Sequence, residues 1–237
     1  MFLFRDIYYF LVAAAAIPAI ALLIKVYRAD KAEPEPPELL FSLVALGVIV
    51  TPVAAALEQL GTAVLNTYVG QSSRYYNVYM YFIVVAISEE GLKYLALRLR
   101  TWRHPAFNYL FDGVVYSVFV SLGFALWENI RYVMSYGFGT ALIRAITAVP
   151  GHACFGVFMG VWYGLAKKYE NYGYPGRSRF CRLLALLLPV LTHGCYDFVA
   201  SMDSPHGIWI FIGFIAVMFV IAFQLVRRIS RHDEYIG

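Results

Sequence analysis

Long apolar runs recur along the whole chain and are separated by short polar segments. A run of about 20 apolar residues is long enough to cross a bilayer as a helix. We predict seven such spans, at Ile7–Val26, Leu39–Leu60, Asn77–Leu97, Leu110–Val133, Ala141–Ala166, Leu183–Ala200 and Ile208–Val226. The pattern therefore predicts an all-α fold, a polytopic membrane helical bundle of about seven transmembrane helices.

The composition agrees with a membrane protein, since 61% of the residues are hydrophobic, only 14% are charged and the mean hydropathy is +0.64. These values lie outside the range of soluble globular proteins. The longest polar segment, Lys167–Arg182, is too short to fold by itself, so we predict a single domain over residues 1–237 with no separate soluble module. The positive flank of the first span follows it, which favours a retained helix over a cleaved signal peptide.

The basic residues are distributed by membrane side. One set of alternate connections holds 14 of them: Lys25, Arg28, Lys31, Arg98, Arg100, Arg103, Lys167, Lys168, Arg177, Arg179, Arg182, Arg227, Arg228 and Arg231. The other set holds four, which are Arg5, Arg74, Arg131 and Arg144. The positive-inside rule therefore predicts an outside N-terminus and a cytoplasmic C-terminus, as an odd number of spans requires. This bias accounts for the net charge of +4, so no nucleic-acid partner is predicted.

Several ionisable residues fall inside the apolar spans. The third span contains Glu89, Glu90 and Lys93, and other spans carry Glu128, His152, His193 and Asp197. A charge at bilayer depth costs on the order of 3 kcal/mol even on lenient insertion scales. A polar cluster buried between helices is the simplest way to make such a set tolerable, and we predict that this cluster is the functional site.

The third span places two carboxylates within reach of one ammonium group. Lys93 stands four residues after Glu89 and three after Glu90, so it can pair with either carboxylate on a helix. Two adjacent glutamates cannot point the same way, so one of them can face a cavity while the other is held by Lys93. Two alternatives remain open here: Lys93 can extend towards the cytoplasmic interface, or the ion pair can serve helix packing alone.

The sixth span places an imidazole beside a carboxylate, because His193 and Asp197 are one helical turn apart. A carboxylate in this position fixes the tautomer of the ring and stabilises its protonated form. Counting 1.5 Å per residue, Glu89, Glu90, His152 and His193 lie within roughly 6 Å of the centres of their spans. We therefore predict a water-holding cavity in the middle-to-outer layer of the membrane, opening outwards.

Four motifs in order resemble those of the PrsW family of membrane-embedded proteases, which are distant relatives of the CAAX prenyl endopeptidases. They are Glu89-Glu90-x-x-Lys93, Phe124-x-x-x-Glu128, His152-Ala153-x-x-Gly156 and His193-x-x-x-Asp197. The resemblance covers the third to the sixth span, and residues 77–201 would form the motif-bearing core of one protease domain. It implies a multi-pass protein of the prokaryotic cytoplasmic membrane that makes the first, site-1 cut in single-pass membrane proteins such as anti-sigma factors, on the extracytoplasmic side.

Peptide hydrolysis needs a base to activate water, donors for the oxyanion and an acid for the leaving amine. We expect Glu89 to be the base and Glu90 to be held by Lys93, although the sequence alone does not separate the two. His193, oriented by Asp197, would polarise the scissile carbonyl, and His152 is a second candidate donor. By analogy with the CAAX endopeptidases, Glu128 stands where a histidine helps to position water.

Asn129 is a candidate hydrogen-bond donor next to Glu128. The site needs no cofactor if carboxylate chemistry suffices. A divalent metal such as zinc is the alternative, with Glu89, Glu128, His152 and His193 as its ligands. No HExxH motif is present to favour the metal.

Two functions outside hydrolysis also fit buried charges. Buried Glu, Lys and His residues form proton relays in transporters, but the chain shows no pair of related halves. A non-catalytic receptor or scaffold would not need such a costly buried set.

Overall fold

The computed structural model describes residues 2–237, with side chains described from residue 9 onwards, and this part of the chain is helical without a β-strand. The helices are α1 (Phe2–Tyr27), α2 (Pro37–Tyr68), α3 (Tyr76–Val78), α4 (Ala86–Thr101), α5 (Asp112–Tyr136), α6 (Phe138–Ile146), α7 (Ala148–Asn171), α8 (Pro175–Ala200) and α9 (Gly207–Arg231). The all-α membrane bundle predicted from the sequence is confirmed.

Six helical stretches of the described residues are long and apolar enough to cross a membrane. They correspond to all the predicted spans except the third, so the total of seven stays a prediction, as does the side on which each terminus lies. Arg5, counted with the outer charges, lies outside the described side chains.

The third predicted span is one helical stretch of mixed geometry. Between α3 and α4 the chain forms a π-helical segment, Tyr79–Val85, which we call the π segment. After α4, the Asn108 amide donates to Glu33 Oε2 in the connection before α2, at 3.2 Å. Because α2 leads away from that end, α3, the π segment and α4 together lead the chain back through the length of the bundle.

The fifth predicted span, Ala141–Ala166, lies within one stretch of membrane length, Phe138–Asn171, which is divided into two helices. A break at Thr147 separates the short α6 from α7, and Pro150 lies in the first turn of α7. Proline lacks the N–H that a helix interior needs, but it is tolerated in a first turn. The helix therefore begins anew just before Pro150, which leaves α6 free to lean over the end of the bundle.

A seam of small residues lets α5 and α7 pack closely. A Cβ atom on Gly160 would lie 2.5 Å from Gly113 O and Val114 Cα, and one on Gly156 would lie 3.0 Å from Val118 Cα. The Gly160 distances are shorter than real Cβ contacts and the Gly156 distance is tighter than most of them, so the backbones of the two helices approach closely because glycine stands at these positions. The stripe of Gly156, Gly160 and Gly164 thus serves close packing, and it fixes His152 of α7 against α5.

The connections rich in Lys and Arg meet at one end of the bundle, which we call the basic end. There the tail after α9 pairs with the connection between α4 and α5, as Ile236 N donates to Asn108 O at 2.7 Å and Leu110 N donates to Glu234 O at 2.9 Å. Lys168 at the end of α7 forms an ion pair with Glu234 at 2.5 Å. These contacts set the register of α5, α7 and α9 relative to one another.

Candidate active site

A cavity of about 300 Å³ lies between α2, the π segment, α4, α5, α6, α7 and α8. Its ionisable lining residues are Glu58, Glu89, Glu128, Arg131, Arg144, His152, His193 and Asp197. Five of the six predicted catalytic residues therefore face one space, and the sixth, Glu90, lies directly behind it. Since Ala148 begins α7 and Asp197 stands near the end of α8, the cavity lies towards the end of the bundle opposite the basic end.

Lys93 is the centre of the buried polar cluster. Its Nζ atom donates to Glu90 Oε1 at 2.7 Å, to Glu89 Oε2 at 3.1 Å and to His152 Nδ1 at 3.1 Å. The Phe124 ring covers the same ammonium at 4.1 Å, and the lysine is fully buried. All three N–H donors thus have acceptors within the protein, and the alternative in which Lys93 extends to the interface is wrong.

The two adjacent glutamates have different surroundings. Glu89 lines the cavity and keeps 5% of its surface exposed, whereas Glu90 is fully buried. Besides Lys93, Glu90 Oε1 accepts a hydrogen bond from His193 Nδ1 at 2.8 Å. Glu90 is therefore tied between a lysine and a histidine, while Glu89 has one oxygen on Lys93 and a face towards the cavity.

His193 stands between two carboxylates. Nδ1 donates to Glu90, and Nε2 faces Asp197 Oδ2 at 3.4 Å. The predicted pairing with Asp197 is present, but Glu90 is the closer partner, which the spacing within α8 could not indicate. Phe155 stacks on the imidazole with 4.8 Å between ring centres, and a Cβ atom on Gly194 would collide with the Phe82 ring of the π segment. The ring is therefore held on both edges and on one face.

His152 connects the cluster to Glu128. Its Nδ1 receives the hydrogen bond from Lys93, and because an ammonium has no acceptor, the ring proton belongs on Nε2. Nε2 then donates to Glu128 Oε2 at 2.8 Å. Arg144 of α6 approaches the same Glu128 oxygen at 3.0 Å, so a residue of the short helix closes this side of the site.

Asn129 does not face the cavity. It is fully buried, its amide donates to Ala15 O of α1 at 2.8 Å, and its oxygen accepts from Arg144 Nε at 2.9 Å. Both polar groups of Asn129 are thus used to join α1, α5 and α6. Asn129 therefore contacts Arg144 and α1 and not the cavity.

Sequence reasoning missed Glu58, Arg131 and Arg144 as cavity residues. Glu58 is the only charged residue in the span predicted at Leu39–Leu60, a signal as clear as that of Glu128. Arg131 and Arg144 lie near the outer ends of their predicted spans, so the sequence places them with the outer connections. Nothing in the local pattern shows that α6 leans inwards, because that depends on the break at Thr147.

A helical membrane bundle that gathers carboxylates, imidazoles and arginines around one cavity has the features of a functional site within the membrane, and these groups can serve hydrolysis. The chain belongs to the PrsW family: the model described as "PrsW family intramembrane metalloprotease" matches residues 35–226. The chain is accordingly an intramembrane protease and a multi-pass membrane protein. This assignment removes the transporter and the scaffold as leading alternatives.

Proteins named Protease PrsW from several bacteria are similar to this chain. That of Oceanobacillus iheyensis is 31% identical over 223 residues, which cover 94% of this chain and 97% of the relative. That of Bacillus subtilis is 32% identical over 201 residues, covering 85% and 86%. That of Halalkalibacterium halodurans is 36% identical over 153 residues, covering 65% and 69%. No solved structure matches the chain significantly.

The family description names a metalloprotease, so the donor set has to be compared with the needs of a metal ion. Ligand atoms of Glu89, Glu90 and His152 lie within 4.8 Å of one another, and Glu90 Oε2 is buried without a hydrogen-bond partner. Two carboxylates and an imidazole with a side open to a cavity suit a catalytic zinc site. Of the predicted ligands, Glu89 and His152 belong to this group, and Glu90 joins them.

The charges around the cavity also suit an additional cation. Five carboxylates (Glu58, Glu89, Glu90, Glu128 and Asp197) face three permanent cations, Lys93, Arg131 and Arg144. Buried charge of one sign must be compensated. Two protons or one divalent cation would supply the missing charge, so the residues fit a metal ion. In this structure Lys93 Nζ lies among the three residues that would hold the ion, Glu89, Glu90 and His152.

Proposed function

We propose that this protease cleaves single-pass membrane proteins, with Glu89 as the general base that activates water. The observation that carries this proposal is the unequal placement of the two adjacent glutamates. Glu89 faces the cavity, whereas Glu90 is sealed behind it by Lys93 and His193. A base must reach water and substrate, and Glu89 alone of the pair does so.

In the proposed reaction, the Glu89 carboxylate takes a proton from a water molecule in the cavity. The resulting hydroxide attacks the scissile carbonyl carbon, and the carbonyl oxygen becomes an oxyanion. Glu89 then gives the same proton to the leaving amine, the C–N bond breaks and the carboxylate is restored. Lys93 holds Glu89 at 3.1 Å and limits the positions its carboxylate can take.

His193 is the proposed donor to the oxyanion. Its Nδ1–H is fixed on Glu90, so in the proposed reaction the ring is protonated and donates through Nε2–H on the side of Asp197 and the cavity. A donor already oriented by a second residue pays no reorganisation during the reaction. His152 is less suited to this role, because its Nδ1 accepts from Lys93 and its Nε2 is bonded to Glu128 at 2.8 Å, whereas 3.4 Å separates His193 Nε2 from Asp197.

The natural substrate proposed is an anti-sigma factor or a similar single-pass protein, cut first on the extracytoplasmic side. Two features support this side. The cavity lies at the end of the bundle away from the basic connections, and the positive-inside rule assigns those connections to the cytoplasm. The whole chain would act as one protease domain, with its motif-bearing core at residues 77–201.

Two isosteric variants test the division of labour between the glutamates. In proteoliposomes with a fluorescent single-pass substrate, Glu89→Gln is expected to lower kcat by at least about 100-fold, since a positioned base contributes 10²- to 10⁴-fold. Glu90→Gln is expected to reduce activity less and to shift its pH profile, because His193 loses its charged partner. Equal kcat losses with an unchanged pH profile for both would contradict the assignment. Glu38→Gln, on the exposed first turn of α2, is the control.

A metal-dependent version of the same reaction is the second candidate, favoured by the unpartnered Glu90 Oε2 and the missing positive charge. Glu89, Glu90 and His152 would hold the ion, which when bound would lower the pKa of a coordinated water and polarise the carbonyl. Activity of the purified protein after chelation separates the two versions. Full activity with no metal in the preparation favours carboxylate chemistry, while loss that zinc restores favours the metal.

A further inference from the structure

A second cavity, larger than the active-site cavity, lies on the opposite side of α7. It is a groove of about 530 Å³ between α1, α7 and α9, which we call the α1–α9 groove. Its floor is apolar and includes four small residues, Ala29, Ala153, Cys154 and Ala222. Larger side chains at these four positions would fill this space, so the groove exists because the residues there are small.

The groove has one apolar part and one cationic part. Lys25, Lys31, Arg227 and Arg231 stand at the basic end of the bundle, and all four are exposed. Lys25 Nζ lies 5.6 Å from the centre of the Phe223 ring, but among the described residues none of the four basic side chains forms an ion pair. Among the described residues, no Asp or Glu lines the groove.

The length of the groove matches one leaflet. Its α9 wall extends from Phe219 to Arg231, a rise of about 18 Å at 1.5 Å per residue. Half of a typical hydrocarbon core is about 15 Å thick. The apolar part of that wall, from Phe219 to Val226, rises about 10 Å and so lies within the acyl layer of one leaflet, while Arg227 and Arg231 lie beyond it towards the headgroups.

We propose that the α1–α9 groove binds one anionic phospholipid from the leaflet at the basic end. An acyl chain lies along the apolar floor, and the anionic headgroup, including its phosphate, contacts Lys25, Lys31, Arg227 and Arg231. Basic pockets between transmembrane helices bind anionic headgroups in this way. A free anion would not need the apolar floor, and an apolar helix of another protein would leave four cations without partners.

Lipid retention measured by native mass spectrometry tests the site. The full chain is purified from mixed micelles that contain phosphatidylglycerol and phosphatidylcholine with the same acyl chains. One molecule of phosphatidylglycerol is expected to remain bound in preference to phosphatidylcholine. The Lys25→Gln/Arg227→Gln variant is expected to bind phosphatidylglycerol at least about tenfold more weakly.

Two further variants test whether retention depends on the position of the positive charges and on the space in the groove. Arg177→Gln/Arg179→Gln removes the same charge from exposed positions in the first turn of α8, at the same end of the bundle, and should leave retention unchanged. Ala222→Leu fills the floor while keeping all four cations, and should also abolish retention. Its thermal midpoint, compared with that of the native chain, shows whether it is folded.

Other results would overturn the proposal. Equal retention of both lipids, or equal loss in the two arginine-containing double variants, would show that the groove does not recognise an anionic headgroup. Displacement of the bound lipid by inorganic phosphate would indicate a soluble anion site. A dimer that Ala222→Leu disrupts would show that a second copy of the chain fills the groove.

Discussion

Lys93 is the residue on which the polar cluster depends, since one ammonium group pairs with two buried carboxylates and orders a histidine. Removing one partner of a buried ion pair costs about 3–5 kcal/mol, because the remaining charge stays buried without compensation. Lys93→Met is therefore expected to lower the free energy of unfolding by about this amount in detergent. The matched double variant Lys93→Met/Glu90→Gln should regain most of the loss, and a single variant as stable as the native chain would contradict the network.

A second cluster, at the basic end, makes stability depend on pH. Glu35 is 4% exposed and accepts a hydrogen bond from the Tyr116 hydroxyl. Burial, together with the nearby carboxylates of Asp30 and Glu33, raises the pKa of Glu35 to about 7, although the hydrogen bonds from Tyr116 and Asp112 oppose this. Burial beside Asp233 likewise raises the pKa of Asp30 to about 6.

A carboxyl group with a raised pKa stabilises the folded state while it is protonated. The contribution of Glu35 is complete below its unfolded pKa and is lost as the pH rises through about 7. We expect the free energy of unfolding to fall by up to about 3 kcal/mol between pH 4.5 and 8. Glu35→Gln should flatten this dependence, and Glu38→Gln, an exposed neighbour, should preserve it. Unfolding midpoints in detergent across this range are the measurement.

At the scale of helices, the contact between α5 and α7 determines where His152 stands. A Cβ atom on Gly160 would meet the backbone of Gly113 and Val114. Gly160→Ala should therefore destabilise the protein by about 1–3 kcal/mol, as overpacking does. Gly213→Ala on α9, where a Cβ atom meets nothing within 4 Å, should be neutral or stabilising. The midpoints of thermal unfolding of the two variants are the measurement, and equal midpoints would contradict the close packing of α5 and α7 at Gly160.

The short helix α6 is held over the site by Arg144, which contacts Glu128 and Asn129. Without this contact, Glu128 and His152 lose their support, and a displacement of about 1 Å can cost 10²-fold in rate. Arg144→Gln is therefore expected to lower kcat/KM by about 10- to 100-fold while the fold is retained. Arg131→Gln removes a charge from the same cavity without breaking an ion pair, so a similar loss there would assign the effect to charge alone.

Residue spacing predicted contacts within a helix better than contacts between helices. The pairing of Lys93 with Glu89 and Glu90 and that of His193 with Asp197 follow from helical periodicity, and both are present. The bond from His193 to Glu90 joins residues 103 positions apart, and no local pattern encodes it. Arg144 was misplaced because Thr147 looks unremarkable in a hydropathy profile, although the helix breaks there.

At the scale of the whole molecule, the unequal distribution of Lys and Arg predicts the orientation of the bundle. A fluorescent protein fused after Gly237 should fold in the cytoplasm, and alkaline phosphatase inserted after Asp203, between α8 and α9, should be active outside. The reverse pattern would place the active-site cavity on the cytoplasmic side. It would also rule out an extracytoplasmic first cut.

The π segment changes the angular position, around the helix axis, of Glu89 relative to the residues before the segment. In a regular α-helix, positions four apart are offset by about 40° around the axis, whereas i→i+5 bonding fits more residues into each turn and reduces this offset. Tyr81, Val85 and Glu89 therefore all border the cavity. Deleting one residue from the π segment would restore regular α-helical winding. The residues before the segment would then rotate by about 100° around the helix axis, while the Glu89 side chain would keep its direction.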